Sequence, residues 1–306
     1  MAKKIILGLL LVIVVSVVGL VIYVRQNPLA LFTKAERSAL TKAQFQKKQV
    51  AAASGNLIYW EKGSGPALVF IHGAGDQAGT WSKIAPSFSD KYRVIIPDLQ
   101  GHGESDPKSG PISIGDEAKG LETLLTDLKV SKPILVGNSM GAWVSLLYAY
   151  QHPDDVSRII IINGGPYRVN GTYNLKPADR EEARKVMGAL QDPGSPQIPD
   201  FVLDDIVRRS HSGPIGRLTQ VSQDQFTLDD KLSTLKTPVD ILWGQADRMM
   251  GTQYADRLMK DLPAARLTPL PRCGHIPQRE CPILLTSTIS KVLEKTPPLL
   301  KVTTSK

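Results

Sequence analysis

Ser139 stands in Gly137-Asn138-Ser139-Met140-Gly141, immediately after the apolar run 134–136 and immediately before a helical run over 142–150. That context suits a hydroxyl nucleophile. The side chain must project from a tight, strained strand-to-helix turn, and glycine on both flanks removes side chains that would collide there. A serine hydroxyl needs a neighbouring base to accept its proton, and the base needs a partner that fixes its ring. The chain has five histidines. His72 and His102 lie in glycine-rich turns, His152 precedes a proline at a helix end, and His211 falls in a long helical insertion. His275, beside Gly274 and beyond the last apolar run, is the expected general base.

Asp247 follows the run 239–243 and so sits at a strand tip, where its carboxylate can orient the His275 ring. Asp256 and Asp261 could substitute, but both fall inside a helical pattern. A second glycine-rich turn, His72-Gly73-Ala74-Gly75, follows the run 67–71. The backbone amides of Ala74 and of Met140, the latter at a helix start, are the expected donors to a developing oxyanion. Together these groups describe acyl transfer through a covalent serine ester, chemistry that needs no metal and no organic cofactor.

The motifs resemble those of the α/β-hydrolase superfamily over about residues 57–293. They are His72-Gly73-Ala74-Gly75, the stretch Pro97-Asp98-Leu99-Gln100-Gly101-His102-Gly103-Glu104-Ser105, the turn at Ser139, Trp243-Gly244-Gln245-Ala246-Asp247, and Gly274-His275 with Glu280 and Pro282. The resemblance implies the order Ser, Asp, His along the chain, which Ser139, Asp247 and His275 satisfy. It also implies that Asp98 and His102 are structural. Ala142 stands where a third glycine is frequent. Epoxide hydrolases and dehalogenases of this superfamily use a carboxylate nucleophile, whose place Ser139 takes here. Trp81 and Trp143 are read as core.

Short apolar runs at 57–60, 67–71, 94–96, 134–136, 159–162, 239–243 and 267–270 read as buried strands. Helix-like stretches at 81–88, 114–128, 140–151, 253–262 and 282–293 lie between them, an alternation that predicts a doubly wound, mostly parallel α/β sheet. The pattern breaks over 164–236, where helical texture with Pro and Gly predicts a lid. Its residues Phe201, Val202, Leu203, Ile206 and Val207 could line an acyl groove. The expected organisation is a tail at 1–4, an anchor at 5–24, a basic stem at 25–50, core at 51–163 and 237–296 around the lid, and a tail at 297–306. Thr33 to Glu36 and Thr41 to Gln44 carry capping-box spacing, which predicts short helices in the stem.

Residues 1–50 contain eight Lys or Arg and one acid, so they hold +7 of the net +8. A nucleic-acid binder carries its charge on the folded domain. Here the basic residues crowd beside an apolar run, where anionic lipid headgroups are the natural partner, and nucleic acid is excluded. The twenty residues 5–24 hold no charge and no proline, enough to cross a hydrocarbon core of roughly 30 Å. A cleaved signal peptide has an apolar region of about 7–15 residues and a small-residue cleavage site; this run is longer and lacks an A-x-A site, so it reads as an uncleaved single-pass anchor. Lys3 and Lys4 before it are balanced by Arg25, Lys34, Arg37 and Lys42 after it, so charge does not orient the span. Cys273 and Cys281 do not have zinc-site spacing; they could form a disulfide or remain two buried thiols.

An anchor, a basic stem and a capped hydrolase are similar to membrane-bound monoacylglycerol lipases and carboxylesterases, which implies a lipid or other small-molecule ester as substrate. The Gly-Asn-Ser-Met-Gly turn also resembles hydrolases that cleave a carbon-carbon bond in dienoic ring-fission products. A silent, membrane-attached binding module is the remaining reading.

Overall fold

The computed structural model describes residues 2–168, 173–262 and 264–295. The tail expected over 297–306 lies outside them. Eight strands form one sheet: β1 (Gln46–Ala52), β2 (Gly55–Lys62), β3 (Ala67–Ile71), β4 (Arg93–Pro97), β5 (Ile134–Asn138), β6 (Arg158–Ile162), β7 (Val239–Gly244) and β8 (Arg266–Leu270). Their order is β1-β2-β4-β3-β5-β6-β7-β8. The pairs β1·β2 and β2·β4 are antiparallel and all the others parallel.

Successive strand residues point to opposite faces, and the sheet is covered on both. Val69, Ile71, Leu135, Ile159, Ile161 and Ile241 share a core with α3 (Ile114–Asp127), α4 (Met140–Gln151) and α8 (Thr252–Asp261). Their neighbours Leu68, Phe70, Val136, Ile160, Ile162 and Leu242 pack on the other face against Trp81, Ile84, Phe88 and α10 (Pro282–Glu294). α3 begins at a reciprocal cap between Ser113 and Asp116. The stretch 81–88, expected as one helix, is two 3₁₀ turns, Ala78–Trp81 and Ala85–Phe88, the second starting around Pro86.

α1 (Ala2–Gln26) is exposed from Lys4 to Gln26. Its segment Lys4–Gln26 contains an 18-residue stretch of mean hydropathy 3.4 and spans about 35 Å, long and apolar enough to cross a hydrocarbon core. α2 (Pro28–Lys42) follows as one helix, not the two short ones expected from the capping-box spacing. Pro28 sets the first turn just after Asn27, so Thr33 and Thr41 fall within the helix. The expected start of the core at residue 51 also differs from the structure. β1 begins at Gln46, and Leu40 and Phe45 are buried against the second face. β1 escaped notice because it is an edge strand whose sequence is mostly polar, with Val50 its one buried residue.

Residues 164–236 carry α5 (Arg180–Leu190), α6 (Asp200–Ser210), α7 (Pro214–Leu218) and two 3₁₀ turns. α6 packs on α2, α5 and the end of α1. Asp205, fully buried on α6, accepts hydrogen bonds from the Leu29 amide, Arg208 and Arg209, while Arg208 also donates to the Gln26 carbonyl. α6 thus joins the end of α1 and the start of α2 to the 164–236 segment, with Leu203 buried and Arg25 over the Phe201 ring.

Candidate active site

β5 ends at Asn138 and α4 starts at Met140, leaving Ser139 at φ 54° and ψ −118°. This is a left-handed conformation that a side-chain-bearing residue holds only when its surroundings impose it. Here they do. A Cβ on Gly137 would lie 2.3 Å from the Gly141 carbonyl oxygen, and one on Gly164 would lie 2.2 Å from the Ser139 carbonyl oxygen. The Ser139 amide donates to Ile162 at 3.0 Å, which fixes the turn to β6.

His275 follows β8, and its Nε2 lies 2.9 Å from Ser139 Oγ. Its Nδ1 lies 2.8 Å from Asp247 Oδ2. Asp247 follows β7 with its side chain fully buried. A carboxylate accepts and does not donate, so the proton resides on Nδ1 and the Nε2 lone pair faces the Ser139 hydroxyl. The acid and histidine loops touch backbone to backbone: a Cβ on Gly244 would lie 2.3 Å from the Gly274 carbonyl oxygen. Burial would raise the Asp247 carboxyl, but the His275 hydrogen bond and charge, the Met250 amide and the Asn163 side chain together hold it below the ordinary range.

Every acceptor position of Asp247 is used. Oδ2 also accepts from Asn163 Nδ2 at 2.8 Å, and Oδ1 accepts from the Met249 and Met250 amides at 2.8 and 3.0 Å. Asp247→Asn therefore faces donors on both sides, whichever way its amide turns. The expected result is a fall in turnover of about 10⁴-fold with little change in substrate affinity, measured as kcat and KM beside a far-UV spectrum that reports an intact fold.

The Gly73 to Asp76 turn lies against Ser139: a Cβ on Gly73 would come within 3.1 Å of the Ser139 Cβ. Among the described residues, neither the Ala74 amide in this turn nor the Met140 amide at the open start of α4 has a protein acceptor. Buried His72 pins the turn from beneath. Its Nε2 accepts from the Leu99 amide at 3.1 Å and its Nδ1 donates to the Gly73 carbonyl at 2.8 Å. Burial, then repulsion from His102, lowers its pKa to about 3, so it remains neutral.

Asp98 accepts from the Ala78 and Glu104 amides and from Arg37, and His102 lies 3.2 Å from buried Glu117. Asp261 receives the Tyr167 hydroxyl, and Asp256 is exposed. Trp81 is core, whereas Trp143 is half-buried and donates to the Phe226 carbonyl of the lid segment. Asn138, Asn163, Gly164 and Gln278 were not singled out in the sequence. Asn138 donates to the Ile162 and His275 carbonyls and accepts from Gln278, tying the strand before Ser139 to the histidine loop. An Asn-Gly pair directly after an apolar run was the available signal for Asn163 and Gly164.

The 164–236 segment is fastened to the site at both ends. From the last turn of α5, the Leu190 carbonyl accepts the His275 amide at 2.7 Å and the Ala189 carbonyl accepts the Arg248 amide. Glu280 accepts from the Gly274 and Asp192 amides and the Ser195 hydroxyl. Arg217 on α7 donates to the carbonyls of Gly101, Pro107, Ser109 and Gly110, which sets Ile215 over the Gly75 backbone. Cys273 and Cys281 form a disulfide, with Cα atoms 6.0 Å apart, that closes the loop holding His275.

A family description, "Alpha/beta hydrolase family", matches residues 68–286. The chain belongs to this family. A curated relative from Paraburkholderia phymatum, 2-hydroxy-6-oxononadienedioate/2-hydroxy-6-oxononatrienedioate hydrolase, is 28% identical over 72% of the hydrolase described here and 85% of its own length. Among solved structures, a membrane phospholipase A superposes with a TM-score of 0.74 at 24% identity, covering 96% of this hydrolase and 98% of that chain. A lipase structure from Acinetobacter baumannii gives 0.72 at 23% identity over 87% and 95%. At such identities these structures share the fold of the hydrolase.

Proposed function

We propose that this α/β hydrolase is a membrane-tethered serine esterase that cleaves carboxylic esters of lipid or acylglycerol type through an acyl-enzyme. The observation that carries the reading is the unbroken chain from Ser139 Oγ through His275 to Asp247, at 2.9 and 2.8 Å, beside two amides without a protein acceptor among the described residues. Ser139 Oγ attacks the ester carbonyl as its proton passes to His275 Nε2. The carbonyl oxygen takes the negative charge and is received by the Ala74 and Met140 amides. His275 then hands the proton to the departing alkoxide, which leaves as an alcohol and frees the acyl-Ser139 ester. Water attacks this ester as its proton passes to His275 Nε2, which returns it to Ser139 Oγ as the acyl–oxygen bond breaks and the acid departs. Asp247 remains ionised throughout and holds the imidazole in place.

Carbon-carbon hydrolysis is the second reading, favoured by the relative that acts on a dienedioate. Such substrates carry carboxylates that call for a cation in the pocket. Among the described residues Arg217 and Arg248 are engaged on backbone carbonyls and Arg279 on Glu36 and Asp76, while Arg272, three residues before His275, is exposed. An uncharged ester suits this surrounding better. The test is turnover of p-nitrophenyl esters, monoacylglycerols and a dienoic ring-fission acid by the purified protein. Ester turnover rising with acyl length supports the proposal, and turnover of the dienoic acid without any ester overturns it.

In this reading α1 spans the bilayer and holds the catalytic domain at the lipid surface. The Cys273 and Cys281 pair further supports a domain on the oxidising side of the membrane, with Lys3 and Lys4 on the cytosolic side. An extrinsic protease applied to the oxidising face of intact vesicles is expected to release the domain; protection there and digestion from the cytosolic face would reverse the topology.

A further inference from the structure

Arg279 lies on the short helix α9 (Pro277–Glu280), four residues beyond His275. Its Nε and Nη2 meet Glu36 of α2 at 2.8 and 2.9 Å, and Nη2 also meets Asp76 at 2.7 Å. The guanidinium lies over the Phe32 ring, 5.2 Å from its centroid. Glu36 and Asp76 are also bridged by Gln77, whose side-chain amide donates to Glu36 at 2.8 Å and whose backbone amide donates to Asp76 at 2.9 Å. α2 lies flush on the backbone that follows, since a Cβ on Gly79 would come within 2.8 Å of the Glu36 Cβ.

The two ends of this cluster are the two halves of the catalytic apparatus. Asp76 closes the turn that contains Ala74, its amide donating to the Gly73 carbonyl at 3.2 Å. Arg279 is held on the histidine loop, and the neighbouring Gln278 donates to Asn138 next to the nucleophile. One guanidinium therefore fastens the oxyanion turn to the histidine loop, and Glu36 grips it with both carboxylate oxygens. The side chains of Glu36 and Asp76 are 11% and 10% exposed, which shields the pairs from solvent screening. The family match begins at residue 68, so Glu36 comes from outside it.

We propose that Glu36 is a positioning residue for catalysis: through Arg279 and Asp76, helix α2 sets the placement of the Ala74 amide relative to His275 and Ser139. This deepens the serine-hydrolase reading and rests on it. A bidentate carboxylate-guanidinium pair fixes angle as well as distance, which a lysine in place of the arginine does not reproduce. A donor displaced by a fraction of an ångström stabilises the oxyanion less while substrate binding is nearly untouched.

The experiment measures phosphonylation of Ser139 by a fluorophosphonate, whose P=O oxygen uses the same donors, in the full chain embedded in phospholipid nanodiscs. For Glu36→Gln and Arg279→Lys, the maximal labelling rate per competent site should fall roughly ten- to hundredfold, with the probe's half-saturating concentration within about twofold of wild type. Glu36→Asp should recover part of the loss. Rates per site within about twofold of wild type in both variants would overturn the proposal. So would a loss accounted for wholly by fewer competent sites at an unchanged rate per site, because the cluster would then only hold the fold together. If wild type itself is not labelled at Ser139, the serine-hydrolase reading fails and the role of Glu36 falls with it.

Discussion

Ser139→Ala is expected to lose turnover on the order of 10⁶-fold and to abolish fluorophosphonate labelling, while the protein stays folded and its Tm moves little. The methyl group keeps the contacts that Cβ makes with the Gly73 turn, and the residue keeps its strained backbone. What disappears is the oxygen that His275 Nε2 faces at 2.9 Å. Ser139→Gly separates the two effects. It loses the same chemistry but relieves a φ of 54°, so its stability should rise by about 1 kcal/mol, or a few degrees in Tm. Labelling that persists in Ser139→Ala would place the nucleophile elsewhere. A Tm for Ser139→Gly below that of Ser139→Ala would mean that the turn is not strained.

Two truncations should behave in opposite ways. Residues 27–306, cut after α1, are expected to be soluble, folded and reactive toward the probe, because they lose an exposed helix and a few exposed contacts to α6. Residues 51–306, cut where the charge pattern alone would place the core, are expected not to fold. That cut removes most of β1 and the buried Leu40, Phe45 and Val50, each stabilising by roughly 1.5–3 kcal/mol. It also removes Arg37, leaving Asp98 with a fully buried carboxyl short of its cation partner, a loss of about 3–5 kcal/mol. Together these approach the whole stability of a domain. Thermal unfolding of both fragments checks this, and a cooperative transition at the same Tm in residues 51–306 would remove α2 and β1 from the folding unit.

Six of the eight strands were legible because each is a short apolar run buried on both faces of the sheet; β8, expected as a buried strand, is an edge strand with only Leu270 buried, and Leu267 and Leu270 alone marked it. β1 was not, since an edge strand with Lys47 and Lys48 exposed carries no such run. Ser139, Asp247 and His275 were legible for a related reason. Each follows a strand, and glycines mark the turns where backbones must approach closely. The supporting contacts have no local signature. Glu36 and Arg279 are 243 residues apart, and a polar pair at that separation leaves neither period nor motif. The apolar face of α6 was visible as a face. Its partner was set by Asp205 and the Leu29 amide, which a helical period does not encode.

The bonds from Leu190 to the His275 amide, and from Glu280 to the Gly274 and Asp192 amides, bear on attempts to redesign specificity. The 164–236 segment of this hydrolase is not an interchangeable cassette. A chimera that replaced all of 164–236 with a foreign cap would withdraw the carbonyl that seats the histidine and would crowd Ser139 unless a glycine returned at 164. Grafts confined to the residues beyond Ser195, with Asp205 and Arg217 retained, leave these fastenings of the site in place.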